Sequence, residues 1–133
     1  MPEKESKLTH HEVIKAANPS LAGDIASTLA DEEVDVFSKD DQQFLKFHGI
    51  YQQDDRDVRK QGKHFMFMIR GTNPGGVLSP DLYLTYERLA DECGNQTLRI
   101  TSRQSFQFHG VVKSGLGQLM KGIHDALATT LAA

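Results

Sequence analysis

The alternation of apolar and polar residues is irregular over the first third of the chain and sharpens from residue 44 onward. Polar residues dominate positions 1–8, which read as a solvated, disordered tail. Two short helical stretches are predicted next, divided at Asn18-Pro19. Ser20 serves as a cap or first-turn residue, and Leu21, Ile25 and Leu29 recur at helical spacing. Asp31 to Asp41 is acidic and reads mostly as loop, anchored by Val34, Val36 and Phe37. The aromatic and aliphatic run from Phe44 to Tyr51 predicts a strand, and His64 to Arg70 a second one. Asn73-Pro74-Gly75-Gly76 is a strong turn signal, because glycine supplies positive φ at little steric cost.

The clearest helix begins at Ser79-Pro80. Serine caps the open N–H groups, and proline fits a first-turn position whose donor has no partner anyway. Leu82, Tyr86, Leu89, Ala90 and Cys93 share one face, and Gly94 suits a left-handed stop. Strands are predicted at Thr97–Ser102 and Ser105–Val112. A last helix runs from Gly115 to about Ala128, with Leu116, Leu119, Met120, Ile123 and Leu127 on its apolar stripe. Strand, strand, helix, strand, strand, helix implies an α+β layer: an antiparallel or mixed sheet with helices on one face, preceded by N-terminal helices.

Side-chain parity from Leu98 to Val112 suggests chemistry. Even positions Leu98, Ile100, Phe106, Phe108 and Val112 suit burial, while odd positions carry Arg99, Thr101, Arg103, Ser105, Gln107 and His109. In an unbroken strand all six polar groups point one way. A guanidinium fork matches carboxylates and oxyanions in a bidentate way, and Thr, Ser, Gln and His add hydrogen bonds. Arg70 ends the preceding strand and joins them. Half-solvated sheets also alternate, so the pattern alone describes an anion site or an ordinary wet face.

Composition narrows the classes. A length of 133 residues suits one domain, and 38% hydrophobic with 25% charged residues is ordinary for a globular chain. A net charge of −3 argues against nucleic acid and anionic membrane as partners. No apolar run is long enough to span a bilayer, and the mixed-charge start lacks a secretory core, so the cytoplasm is the expected location. Cys93 is the one cysteine, which excludes an internal disulfide and a thiolate cluster built by this chain alone. Asp54, Asp55 and Asp57 lack calcium-loop spacing and read as a polar turn paired through Arg56. His10-His11 reads as exposed tail, His48 and His64 as strand residues, and Cys93 as packing.

The run Leu98-Arg99-Ile100-Thr101-Ser102-Arg103-Gln104-Ser105-Phe106-Gln107-Phe108-His109-Gly110-Val111 resembles the first conserved block of sirohaem sulfite reductases. Phe47-His48-Gly49-Ile50-Tyr51-Gln52-Gln53-Asp54-Asp55-Arg56-Asp57 resembles a second block, typical of the sulfite-reducing branch. Met68-Ile69-Arg70, Pro74-Gly75-Gly76 and Leu89-Ala90-Asp91-Glu92 fit between them in family order. The resemblance runs from about Phe44 to Leu127, with a fainter echo at Ser20–Leu29. It implies a ferredoxin-like half-domain over 44–128, after a helical segment and acidic loop over 9–43.

The same resemblance implies sirohaem coupled to a [4Fe-4S] cluster and six-electron reduction of sulfite to sulfide; related enzymes reduce nitrite. By position it places Arg70 beside the bound anion, and Arg99, Thr101, Ser102, Arg103, Gln107 and His109 on the sirohaem. Ser102 stands where Asn is frequent. The family's cluster cysteines belong to later sequence, so the remainder of the reductase, in the same or another chain, is an implied partner. Ferredoxin is the favoured electron donor over a flavoprotein, from the likeness of Leu82–Val112 to the plant and cyanobacterial type. The competing expectation is a non-enzymatic module that binds an anion or a protein on the same face.

Overall fold

A computed structural model describes residues 7–54, 59–62, 64–131 and 133, with the side chain of Arg59 left aside. Most of the expected tail, and the turn expected to pair through Arg56, lie outside the described residues. Helix α1 spans His10–Ala17, α2 Ile25–Ala30, α3 Lys39–Phe47, α4 Pro80–Cys93 and α5 Lys113–Asp125. Strand β1 spans Ile50–Asp54, β2 Phe65–Gly71, β3 Leu98–Ile100 and β4 Phe106–Val111. The sheet order is β1-β2-β4-β3, and every neighbouring pair is antiparallel.

The α+β reading stands, and so does α4. The Ser79 side chain accepts from Leu82 N–H, and Tyr86, Leu89, Ala90 and Cys93 are the buried face. These residues join Leu116, Leu119 and Ile123 of α5 over Phe67, Ile69, Phe106, Phe108 and Val111 of the sheet. Tyr86 packs on both Phe106 and Phe108, with centroids 5.6 and 5.5 Å away. Such offset and edge-on contacts suit aromatic quadrupoles. With α4 and α5 gathered on this side, the other sheet face carries the polar row described below.

Several local expectations are corrected. Phe44–Phe47 is the end of α3, so only Ile50 and Tyr51 of the expected strand belong to β1. The helix starts inside the supposed acidic loop, where Ser38 accepts from Asp41 N–H and Asp40 and Asp41 occupy the first turn. Carboxylates there complement the unpaired N–H groups. Asp41 is buried and also accepts from Asp24 N–H at 3.1 Å, tying α3 to the turn before α2. His10 and His11 lie in α1, which Thr9 caps reciprocally with Glu12; they face Asp40 and Gln43 at 2.8 and 2.9 Å. Asp24, not Ser20, holds the N-cap position of α2.

Gly94 is extended (φ −112°, ψ −160°); the left-handed residue beyond α4 is Gln96, at φ 67°. Both Gly94 and Gln96 donate to Ala90 carbonyl oxygen. Leu127 leaves the α5 stripe because the helix ends at Asp125, and it is 95% exposed at φ 59°.

Candidate functional site

Sheet register decides which polar side chains meet. Arg70 on β2 pairs with Gln107 on β4, and Gln107 pairs with Arg99 on β3. Directly opposed residues project from the same face. Arg70, Gln107 and Arg99 therefore form a row across three strands, on the side opposite Phe106 and Phe108. Two strand spacings put the outer backbones about 10 Å apart, so two guanidinium groups flank one amide. His109, two residues along β4, brings Nε2 to 3.1 Å from Gln107 Oε1. With the amide oxygen accepting, Nε2 carries the hydrogen and Nδ1 is left as an acceptor. Burial, and secondarily the charge of Arg99, push the His109 imidazole below its usual pKa.

The parity expectation holds from Phe106 to His109 and fails at Ile100, in the turn between the strands and beyond a bulge late in β4. The chain reverses from Thr101 to Ser105: Thr101 N–H donates to Ser105 O at 2.8 Å, and Gln104 N–H to Thr101 O at 3.0 Å. Thr101 Oγ1 accepts from Arg103 N–H at 3.3 Å and Ser105 N–H at 3.1 Å. Its oxygen thus shapes the turn, and its hydroxyl proton remains available for donation. Ser102 and Arg103 sit exposed at the turn, not on the continuous strand face. Ile100 is 71% exposed, although its partner Phe106 is buried. Val112 is 52% exposed and Val111 fully buried. The register slips between Phe67 and Ile69, where β4 carries an extra residue and Gly110 adopts φ 68°. Such a bulge exchanges the two faces beyond it.

Two residues here escape a reading by sequence. Asn73 is buried and its Nδ2 donates to Gln104 O at 3.0 Å, clamping the Thr101–Ser105 turn to the loop after β2. Tyr51 of β1 faces Met68, and its ring centroid is 4.9 Å from Arg70 Cζ. Neither contact has a local signal, because each joins segments far apart in sequence. The remaining candidates lie outside this row, and neither His48 nor His64 is in a strand as expected. His48 ends α3 with Nε2 3.3 Å from Leu21 O, His64 is exposed before β2, and Cys93 is buried in the core. Among the described residues no group of three or more His, Cys, Asp or Glu could hold a metal ion, and no helix is long and apolar enough to cross a membrane.

Comparison with known proteins agrees with this architecture. The family model described as nitrite/sulfite reductase ferredoxin-like half domain matches residues 58–126. A Xanthomonas campestris protein named sulfite reductase [NADPH] hemoprotein beta-component is 44% identical over 95% of this chain and 23% of its own length. A Synechococcus elongatus protein named sulfite reductase [ferredoxin] is 46% identical over 99% of this chain and 21% of its own. The chain thus spans 21–23% of the length of these curated relatives. The solved structure of Mycobacterium tuberculosis NirA protein shares the fold, with a TM-score of 0.76 at 22% identity over 95% of this chain and 25% of that one. This chain belongs to the nitrite/sulfite reductase ferredoxin-like half-domain family.

Proposed function

We propose that this chain forms the cofactor- and anion-facing surface of an assimilatory sulfite reductase, and that it works only together with sequence that supplies iron–sulfur ligands. The half-domain is taken to run from 44 to 128, after a helical segment and acidic stretch over 9–43, with α3 crossing from one into the other. The row Arg70–Gln107–Arg99 carries the reading, since two guanidinium groups on one sheet face suit a polyanion.

The donor set fits the carboxylates of sirohaem. Arg99 and Arg103 offer planar forks, Thr101, Ser102 and Gln107 add neutral hydrogen bonds, and His109, whose Nε2–H is donated to Gln107 Oε1, turns that amide's N–H groups toward the cofactor. Sirohaem, when bound, supplies the iron centre at which sulfite is reduced. Arg70 then serves the substrate: its fixed positive charge draws the anion in and offsets negative charge that grows as electrons arrive. A [4Fe-4S] cluster does not fit this chain. Such clusters take four thiolates in their common form, whereas Cys93 is the one cysteine and lies in the core. Burial, then Glu92, raise its thiol pKa, against a lowering by Arg88. The cluster ligands would come from the remainder of the reductase.

Ferredoxin is the donor we favour over a flavoprotein, supported by 46% identity to the ferredoxin-named relative against 44% to the NADPH-named one. A cytoplasmic setting accords with these partners. Sulfite is favoured over nitrite by the Tyr51-Gln52-Gln53-Asp54-Asp55-Arg56 block. Steady-state turnover of the complete reductase with both anions tests this. We expect kcat/KM for sulfite to exceed that for nitrite by about tenfold or more; a preference for nitrite would reverse the assignment.

A further inference from the structure

We propose that Tyr51 is a positioning residue for Arg70, fixing its guanidinium so that the anion is met end-on by the two Nη groups. This deepens the reading of Arg70 as an anion contact and rests on it. Arg70 Cζ lies 4.9 Å from the Tyr51 ring centroid, within range for a cation on an aromatic face. Tyr51 reaches that place from β1, where it opposes Met68, two residues before Arg70 on the same face of β2. Diagonal neighbours on adjacent strands are within reach of aromatic and long side chains.

The second observation is at Nε. That nitrogen is buried and has no hydrogen-bond partner among the described residues. Arg70 as a whole is half-buried, and it has no ion-pair partner among the described residues. A guanidinium can grip an oxyanion side-on through Nε and Nη, or end-on through both Nη groups. With Nε sealed from solvent, the end-on fork is the accessible edge. Contact with the Tyr51 ring restrains that fork, and Gln107 and Arg99 adjoin it along the sheet. The phenol hydroxyl has no part in this arrangement; the ring does.

The test uses the 133-residue chain, the probe is sodium sulfite, and the readout is the NMR spectrum of the Arg70 side chain at low temperature. In the native chain, sulfite should shift the Nη resonances and leave Nε–H nearly unmoved. Tyr51→Phe and Tyr51→Trp should preserve both this pattern and the affinity. Tyr51→Leu should weaken sulfite binding at Arg70 about fivefold, as loss of one exposed cation–π contact implies, and let Nε–H respond. Because Phe and Trp retain the ring, their behaviour carries the test should the leucine variant fail to fold. Weakening by Tyr51→Phe, or a dominant Nε–H shift in the native chain, overturns the proposal. Arg70→Ala separates it from its parent: unchanged sulfite binding in that variant contradicts the anion reading itself. Lost binding in Arg70→Ala with full binding in Tyr51→Leu overturns the role of Tyr51 alone.

Discussion

Purified as a single polypeptide and supplied with sirohaem, iron, sulfide and a strong reductant, the 133-residue chain should fold cooperatively yet reduce no sulfite. The folding half rests on a continuous core. Phe67, Ile69, Phe108 and Val111 of the sheet are wholly enclosed by Tyr86 and Leu89 of α4 and Leu119 and Ile123 of α5. Fully burying one such side chain is worth about 1.5–3 kcal/mol before conformational entropy is set against it. The inactive half rests on one cysteine, enclosed in that core with its thiol pKa raised by burial. A thermal melt checks the first half and sulfide release the second. A single sharp transition with sulfide at the level of the protein-free control is the expected pair. Sulfide formed catalytically by this chain alone would contradict the division of labour proposed for it.

A large stability loss is expected from a single change at the buried Gly49, between α3 and β1. Its φ is 71°, a left-handed conformation that side chains tolerate poorly. A Cβ there would stand 2.5 Å from Thr130 O and 2.9 Å from Arg70 O, and both obstacles are backbone. Neither can rotate away. Gly49 O also accepts from Arg70 N–H at 2.9 Å, so displacement would disturb the strand end that carries Arg70. Left-handed strain costs about 1–2 kcal/mol and forced overpacking about 1–3 more. Gly49→Ala should thus lose roughly 3 kcal/mol in a denaturant titration. Gly75→Ala is the control: φ is 66° there, but no atom lies within 4 Å of the new Cβ, so only the strain of about 1–2 kcal/mol applies. Equal losses at both positions would show that the close approach at Gly49 is not felt.

What the sequence disclosed, and what it hid, divides by the range of the interactions. α4 was legible because its signals are local: Ser79 capping, Pro80 at the start, and a stripe through Tyr86, Leu89 and Cys93. α3 was missed because Phe44, Leu45 and Phe47 look like strand residues when read alone. The Ser38 cap and Asp40-Asp41 were present as signals, yet they fell inside a stretch read as acidic loop. Parity located Arg99, Gln107 and His109 correctly on one face. It misplaced Val112, because Gly110 absorbs an extra residue, and Ile100, which is exposed opposite a buried Phe106. Contacts such as Tyr51 with Arg70 and Asn73 with Gln104 arise only when distant segments meet. The row from Arg70 to Arg99 was legible in part: parity and family likeness named its members, and strand order set them directly opposite one another.

The central claim is that the sheet face and its turn hold sirohaem through arginine forks, and Arg103 tests it most directly. It is exposed at the turn and makes no ion pair among the described residues, so the fold gains little from its charge. Removing such a group should change stability by no more than about 0.5 kcal/mol. A lysine keeps the charge but cannot reproduce a planar bidentate fork. The measurement is sirohaem absorbance per protein in the complete reductase, for Arg103→Ala and Arg103→Lys beside the native enzyme, with thermal melts recorded in parallel. Lower sirohaem content in both variants at an unchanged melting temperature is the expected result; native content in both would contradict the assignment of this surface.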